Sequence, residues 1–286
     1  MGTKSPFRAR TGGRGRYNDG AKIRRHYDTV SPYYRALWGE HLHHGYWIRG
    51  DETKEQAQVQ LVEHMARAAG IERGARLLDV GCGFGGSSLY LAREYDVDAT
   101  GITISPVQVE MASAAAAANE RLHVRFLLMD AQAMTFHPSS FDVVWSLESI
   151  SHYERKKEFF ASGARLLRPG GTFAIIDWFR KEGLDRRAYD KFLRPIEKGM
   201  MVALDTMDDY AALLEWTGLK VTHREILNEH CAKTWDLCLD IIRKKEFWDL
   251  AAGLGSEFLH FLRAFRAMKA GFASGNLVYG LLVAKH

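Results

Sequence analysis

The chain reads as an α/β protein built on a doubly wound, mostly parallel sheet. Three observations predict this. Strand-like and helix-like runs alternate from about residue 76 to residue 177. A glycine-rich turn joins the first strand of that series to its first helix. The polar clusters of the series fall just past the carboxyl ends of strands, where open α/β sheets bind ligands.

Taken in order, residues 1–25 carry eight Lys or Arg against one Asp, and their Gly/Arg-rich composition predicts a flexible basic arm. No aromatic platform or reading helix accompanies the arm, so nucleic acid is not an expected partner. Residues 26–70 are expected to form a helical cap. Its first part is dense in aromatics (Tyr27, Tyr33, Tyr34, Trp38, Tyr46, Trp47). Its second part, 53–69, repeats apolar residues at helical spacing and stops at Gly70. Residues 71–286 form the expected core domain. Strands are predicted at 76–80, 99–103, 124–128, 143–147 and 173–177, and helices at 86–94, 106–119 and 156–166. The turn Arg168-Pro169-Gly170-Gly171 should open the fifth strand. Two more strands, 220–226 and 277–284, follow long inserts at about 179–218 and 231–271, a spacing wider than ordinary α/β connections.

The 286 residues contain no apolar run of 18, so no transmembrane helix is expected, and the N-terminus has no signal-peptide core. Three cysteines without metal-ligand spacing suit a reducing cytoplasm. His41, His43 and His44 would suggest a metal only with a carboxylate or cysteine frame, which is missing, so they are expected to line a pocket or to serve the structure, and no metal is expected.

The most informative segment is Leu77-Leu78-Asp79-Val80-Gly81-Cys82-Gly83-Phe84-Gly85-Gly86. Its glycines permit positive φ and close ligand approach, and the following helix offers free N–H groups to an anion. The spacing also satisfies a dinucleotide fingerprint. An NAD-linked oxidoreductase is disfavoured, because Asp79 would meet a pyrophosphate badly and the second strand ends on Thr103 instead of an acid.

On these residues the chain resembles the class I S-adenosylmethionine-dependent methyltransferases. Gly101-Ile102-Thr103-Ile104-Ser105-Pro106-Val107-Gln108 narrows the resemblance to the γ-tocopherol methyltransferase-like small-molecule enzymes. His26-Tyr27-Asp28, the segment from Leu37 to Trp47, and Val144-Trp145-Ser146-Leu147-Glu148-Ser149 point the same way. The resemblance runs from about His26 to the C-terminus and is strongest up to Asp177. It implies a Rossmann-like seven-stranded sheet with cap and lid inserts. It also implies S-adenosyl-L-methionine as cofactor, released as S-adenosyl-L-homocysteine.

The cofactor's methionine carboxylate suits the backbone amides around Gly81 and Gly83, and its ammonium suits Asp79. The resemblance gives Thr103 and Gln108 to the ribose, Asp130 and Ala131 to the adenine, and Tyr27 to the methionine end. Asp130 also suits a helix N-cap. Leu147, ending the fourth strand, completes the expected cofactor set. Glu148 and His152 are four apart, so on a helical turn they would share a face. A carboxylate orienting a histidine there would be a general base. The expected activity is methyl transfer to a lipophilic small molecule, isoprenoid or aromatic, with carbon methylation favoured. N- or O-methylation of a small amine or glycoside is the alternative, and a non-catalytic cofactor-binding protein is the alternative of another class. An aromatic cap could dock on a neighbouring subunit, so a homo-oligomer stays open.

Overall fold

The computed structural model describes residues 18–119, 121–245, 247–248 and 257–286. Residues 1–17, most of the expected arm, lie outside this set, as does part of the second insert. The helices are α1 (Gly20–Trp38), α2 (Lys54–Ala69), α3 (Gly86–Tyr95), α4 (Pro106–Ala117), α5 (Lys156–Leu166), α6 (Arg186–Ala188), α7 (Arg194–Met200), α8 (Met207–Trp216), α9 (Asn228–Cys231), α10 (Lys233–Ile241) and α11 (Glu257–Ala273). The strands are β1 (Arg76–Val80), β2 (Asp98–Thr103), β3 (Val124–Leu128), β4 (Phe141–Leu147), β5 (Leu167–Arg180), β6 (Lys220–Ile226) and β7 (Leu277–Lys285). They form one sheet in the order β3-β2-β1-β4-β5-β7-β6. The first five pair in parallel, and β7 runs antiparallel between β5 and β6. This is the expected seven-stranded, mostly parallel sheet. The strand order reverses beside β1, so the glycine turn sits at the switch point where ligands bind.

Successive strand residues face opposite sides of a sheet. Leu77 therefore joins a core with Leu61 and Met65 of α2 and Leu91 of α3, while Leu78 joins one with Phe159 and Phe160 of α5 and Leu213 of α8. Cys82, Ala112 of α4 and Phe126 of β3 close a small third cluster beneath the glycine turn. Among the described residues, no helix is long and apolar enough to cross a membrane.

The structure corrects four boundaries. Residues 20–25 belong to α1, because the Asp19 carboxylate caps it by accepting from the Ala21 and Lys22 amides. The helix assigned to the cap, α2, packs on the sheet instead. It starts at a capping box between Thr53 and Gln56 and stops at left-handed Gly70. The Arg168–Gly171 turn lies inside β5, where the pairing with β4 shifts register. Finally, α8 is a core helix on the sheet, so the first insert ends near residue 206.

The loop after α1 is fixed from two sides. Gln58, buried on α2, donates to the carbonyls of His41 (2.6 Å) and His43 (3.2 Å). The Gly45 amide donates to Thr234 Oγ1 at 3.1 Å on α10. Gln58→Leu would strand two buried carbonyls, at a cost of about 1–3 kcal/mol. Urea unfolding should show a lower midpoint at unchanged slope. A midpoint equal to that of the parent would contradict this anchoring role.

Candidate active site

Past the end of β1 the chain turns through Gly81, with φ +77°, and Gly83, with φ +54°. The two glycines serve different purposes. A Cβ on Gly81 would lie 2.4 Å from Ser149 Cβ, so this position locks the turn against the segment after β4. The Ser149 hydroxyl donates to the Val80 carbonyl at 2.8 Å across the same junction. A Cβ on Gly83 would meet nothing closer than Leu42 Cδ2 at 4.0 Å, so the space beside it is open. Helix α3 then begins with no side-chain cap, leaving its first N–H groups free for a ligand.

All eleven residues expected at the site line one cavity of about 790 Å³, within the usual range for ligand pockets. Asp79 is buried and accepts from the Ser88 hydroxyl at 2.6 Å. Burial pushes its carboxyl up to about 6, with the Ser88 bond acting the other way. A cation seated beside Asp79 would hold it ionised. The Thr103 hydroxyl donates to Gln108 Oε1 at 2.6 Å, and the Gln108 amide donates to Ser31 of α1 at 3.1 Å. The Ser105 hydroxyl donates to Asp28 of α1 at 2.6 Å. Helix α1 thus closes over the cavity by hydrogen bonds to the segment after β2. Asp130 caps the 3-10 turn Ala131–Ala133, its Oδ1 accepting from the Gln132 amide at 2.8 Å. Its capping role therefore holds, and it lines the cavity as well. Leu147, at the end of β4, is buried on the cavity wall.

The expected pairing of Glu148 with His152 is not what forms. Residues 150–152 make a 3-10 turn, and Glu148 sits before it with φ +58°, so the two do not share a helix face. Glu148 Oε1 instead accepts three bonds: from the His44 amide (2.8 Å), His44 Nδ1 (2.8 Å) and the Tyr279 hydroxyl (2.5 Å). Burial alone would raise this carboxyl. The His44 ring, His43 and the Tyr279 hydroxyl offset it and hold the group below the ordinary range. All three bonds fall on Oε1, and among the described residues none reaches Oε2, on a side chain that lines the cavity.

His152 donates from Nδ1 to the Met201 carbonyl at 3.1 Å, so its Nε2 accepts from the Tyr27 hydroxyl at 3.0 Å. Burial pushes its pKa down to about 4, leaving a neutral ring at pH 7. His43 bonds the His44 carbonyl and His41, and among the described residues no cluster suits a metal. The triplet is pocket lining, as expected, but His44 is also the principal partner of Glu148. Neither His44 nor Tyr279 stood out in the sequence as a partner for Glu148. A polar tip in the otherwise apolar run of β7 was the available sign for Tyr279.

Around Glu148 the wall is aromatic. His44 stacks on Tyr279 at 4.4 Å and lies edge-on to Trp235 at 5.0 Å and to Trp178 at 5.9 Å, by ring centroids. Of the aromatics in the two inserts, Trp235, Phe247, Phe261 and Phe265 line the cavity. Phe258 is buried in the core and Trp248 is exposed, as is Trp216 at the end of α8.

A family model described as "Mycolic acid cyclopropane synthetase" matches residues 15–275. The chain belongs to that family. It is an S-adenosylmethionine-dependent methyltransferase of the class I fold. It is 37% identical over 218 residues to 27-O-demethylrifamycin SV methyltransferase of Amycolatopsis mediterranei, covering 75% of this chain and 79% of that one. It is 29% identical over 281 residues to the chloroplastic tocopherol O-methyltransferase of Arabidopsis thaliana, covering 90% and 79%. The fold matches the mycolic acid cyclopropane synthase CmaA1 complexed with SAH and CTAB, with a TM-score of 0.83, 23% identity and 93% and 98% coverage.

In this methyltransferase, Gly83→Ala and Gly81→Ala should behave differently. Gly83→Ala has room and should melt close to the parent, apart from about 1 kcal/mol for its left-handed backbone, yet bind S-adenosylhomocysteine at least tenfold more weakly. Gly81→Ala should lose both affinity and about 1–3 kcal/mol of stability to overpacking. Calorimetric titration and thermal melts read both. Parent-like affinity in Gly83→Ala would contradict a ligand seated beside that residue.

Proposed function

We propose that the acceptor is a lipophilic aromatic molecule with a free hydroxyl, which donates to Glu148 Oε2. The observation that carries this reading is a carboxylate in an aromatic wall whose three hydrogen bonds all fall on one oxygen, Oε1. A buried anion wants a donor, and an apolar wall with aromatic faces wants a flat hydrophobic body. Among the residues lining the cavity, the Arg and Lys side chains are Arg24 and Arg25 of α1, so an anionic acceptor would find little compensation beside Glu148. Relatives named for tocopherol, rifamycin and 2-methyl-6-phytyl-1,4-hydroquinone methylation support the same class of acceptor.

In this reading the free amides of α3 and the turn at Gly81 and Gly83 hold the cofactor's carboxylate. Asp79 takes its ammonium, Thr103 and Gln108 its ribose, and Asp130 and Ala131 its adenine, over Leu147. Tyr27 and α1 close the methionine end, and the two inserts form the lid. S-adenosyl-L-methionine supplies an electrophilic methyl on a sulfonium, whose bonding pair stays on sulfur when the methyl leaves.

The chain's residues align the acceptor, exclude water and receive one proton. A carboxylate held below its ordinary range is a weak base, but a weak base suffices. As the new bond to oxygen forms, the hydroxyl proton becomes strongly acidic and passes to Glu148 Oε2. A phenol passing that proton to Glu148 is nucleophilic at oxygen and at the neighbouring ring carbon; on the carbon route the methylated carbon then loses its ring hydrogen as a proton and the oxygen takes a proton back, so each route releases one proton overall. The carbon methylation favoured by the sequence and the oxygen methylation named for the relatives therefore share this step. The atom that faces the methyl decides between them.

Glu148→Gln keeps an oxygen for His44 and Tyr279 but loses the proton acceptor. Turnover of an alkylated hydroquinone with labelled methyl donor should fall about 10²- to 10⁴-fold. S-adenosylhomocysteine affinity should stay within about threefold of the parent. Turnover within twofold of the parent would sink the assignment.

A further inference from the structure

Residues 201–205, between α7 and α8, lie against the turn that carries His152. Among the described residues, four non-glycines have positive φ, and two of them, Glu148 and Met201, are at this site. Met201, with φ +54°, presents its carbonyl to His152 Nδ1 at 3.1 Å. The Ala203 amide donates to the Ser151 carbonyl at 2.8 Å. Lys156 reaches the same residues from α5. Its ammonium donates to the Ala203 carbonyl at 2.6 Å and to Asp205 at 2.8 Å, on a side chain that is nine-tenths buried. Behind the turn, buried Glu197 accepts from the Leu204 amide at 3.0 Å and from the Tyr189 hydroxyl.

We propose that residues 201–205 are a tautomer clamp for His152, with Lys156 as the positioning residue that holds the clamp closed. The inference rests on the reading above that Tyr27, the partner of His152 in the same cavity, closes the methionine end of the cofactor. A neutral imidazole carries its proton on one nitrogen, and the partner of that nitrogen decides which. The Met201 carbonyl accepts only, so it keeps the proton on Nδ1 and leaves the Nε2 lone pair facing Tyr27. A left-handed non-glycine residue costs of the order of a hydrogen bond and persists only where its surroundings enforce it. Here the Lys156, Ala203 and Glu197 contacts enforce it.

Lys156 does not line the cavity, so it acts through the clamp and through its charge. The groups around the His152 ring are His26 and Tyr27 of α1, Glu148 after β4, Lys156 of α5, and Asp177 of β5, which accepts from the Ser151 amide at 2.7 Å. Lys156 opposes protonation of the ring and Glu148 favours it. Loss of the ammonium relieves that opposition, while loss of the Met201 bond, which favours protonation, acts the other way, so the tautomer and not the midpoint reports the clamp. The clamp also joins the acceptor wall. Helix α7 approaches α11 so closely that a Cβ on Gly199 would lie 2.4 Å from the His260 carbonyl, and α11 carries Phe261 and Phe265 into the cavity.

The test needs no acceptor. The full chain, labelled with ¹⁵N-histidine and saturated with S-adenosylhomocysteine, is followed by long-range ¹H–¹⁵N spectra across pH. The parent should show His152 protonated at Nδ1 at pH 7. Lys156→Met should give a mixture with the Nε2–H form. Its S-adenosylhomocysteine affinity should stay within threefold, and Lys156→Arg should restore the parent pattern. Should Lys156→Met not fold, Asp205→Ala, on the more exposed side of the clamp, should move the tautomer equilibrium the same way. Met201→Gly keeps the carbonyl and should keep the Nδ1 proton. A parent carrying the Nε2 proton, or a Lys156→Met protein with the parent's tautomer, would overturn the proposal. Because these readouts are independent of turnover, either result leaves the Glu148 reading to be judged by its own variant.

Discussion

The Glu148 carboxylate is the point on which the acceptor half of the site depends. One of its oxygens gathers an amide and a ring N–H from His44 in the loop after α1, and a hydroxyl from Tyr279 in β7. Hydrogen bonds to a charged group contribute about 1.5–3 kcal/mol each, against several kcal/mol for burying the ion. The three bonds together balance that penalty. They also join segments more than a hundred residues apart, and the left-handed backbone at Glu148 is tolerated because those segments hold it. The other oxygen is left for the cavity.

The two ends of the cavity are built on different principles. The proposed cofactor end belongs to the sheet. Its glycine turn, its acid on β1 and its hydroxyls after β2 sit at the switch in strand order, where parallel strands end together. The proposed acceptor end belongs to the loop after α1 and the two inserts, which are tied down by Gln58, Thr234, Lys156 and Glu197. A family can therefore keep one half and vary the other. This matches relatives that share a fold and differ in their named acceptors.

What was legible in the sequence follows from the same division. The β1–turn–α3 unit could be read because its signals are local: an apolar strand, glycines at fixed offsets, then a helix. The cavity lining could be read because strand ends mark it. The Glu148–His152 pair misled because spacing of four implies a shared face only on an α-helix, and the backbone there makes a tighter turn after a left-handed residue. The true partners, His44 and Tyr279, are remote in sequence, so no periodicity connects them to Glu148. Likewise α2 and α8 carry amphipathic patterns that say they bury a face without saying against what. Only the assembled sheet assigns them to the core.

The most direct test of this account compares two ligands whose oxygens carry protons in one and methyl groups in the other. An alkylated hydroquinone and its dimethyl ether would each be titrated into the protein saturated with S-adenosylhomocysteine. The ether carries two methyl groups more, so burial of apolar surface alone would favour it. Glu148 Oε2 can accept from the first and can only repel the oxygens of the second. The account predicts that the hydroquinone binds at least tenfold more tightly, and that Glu148→Gln narrows the gap. Equal affinities in the parent protein would contradict it, and would reduce the acceptor end to an apolar cavity without a polar anchor.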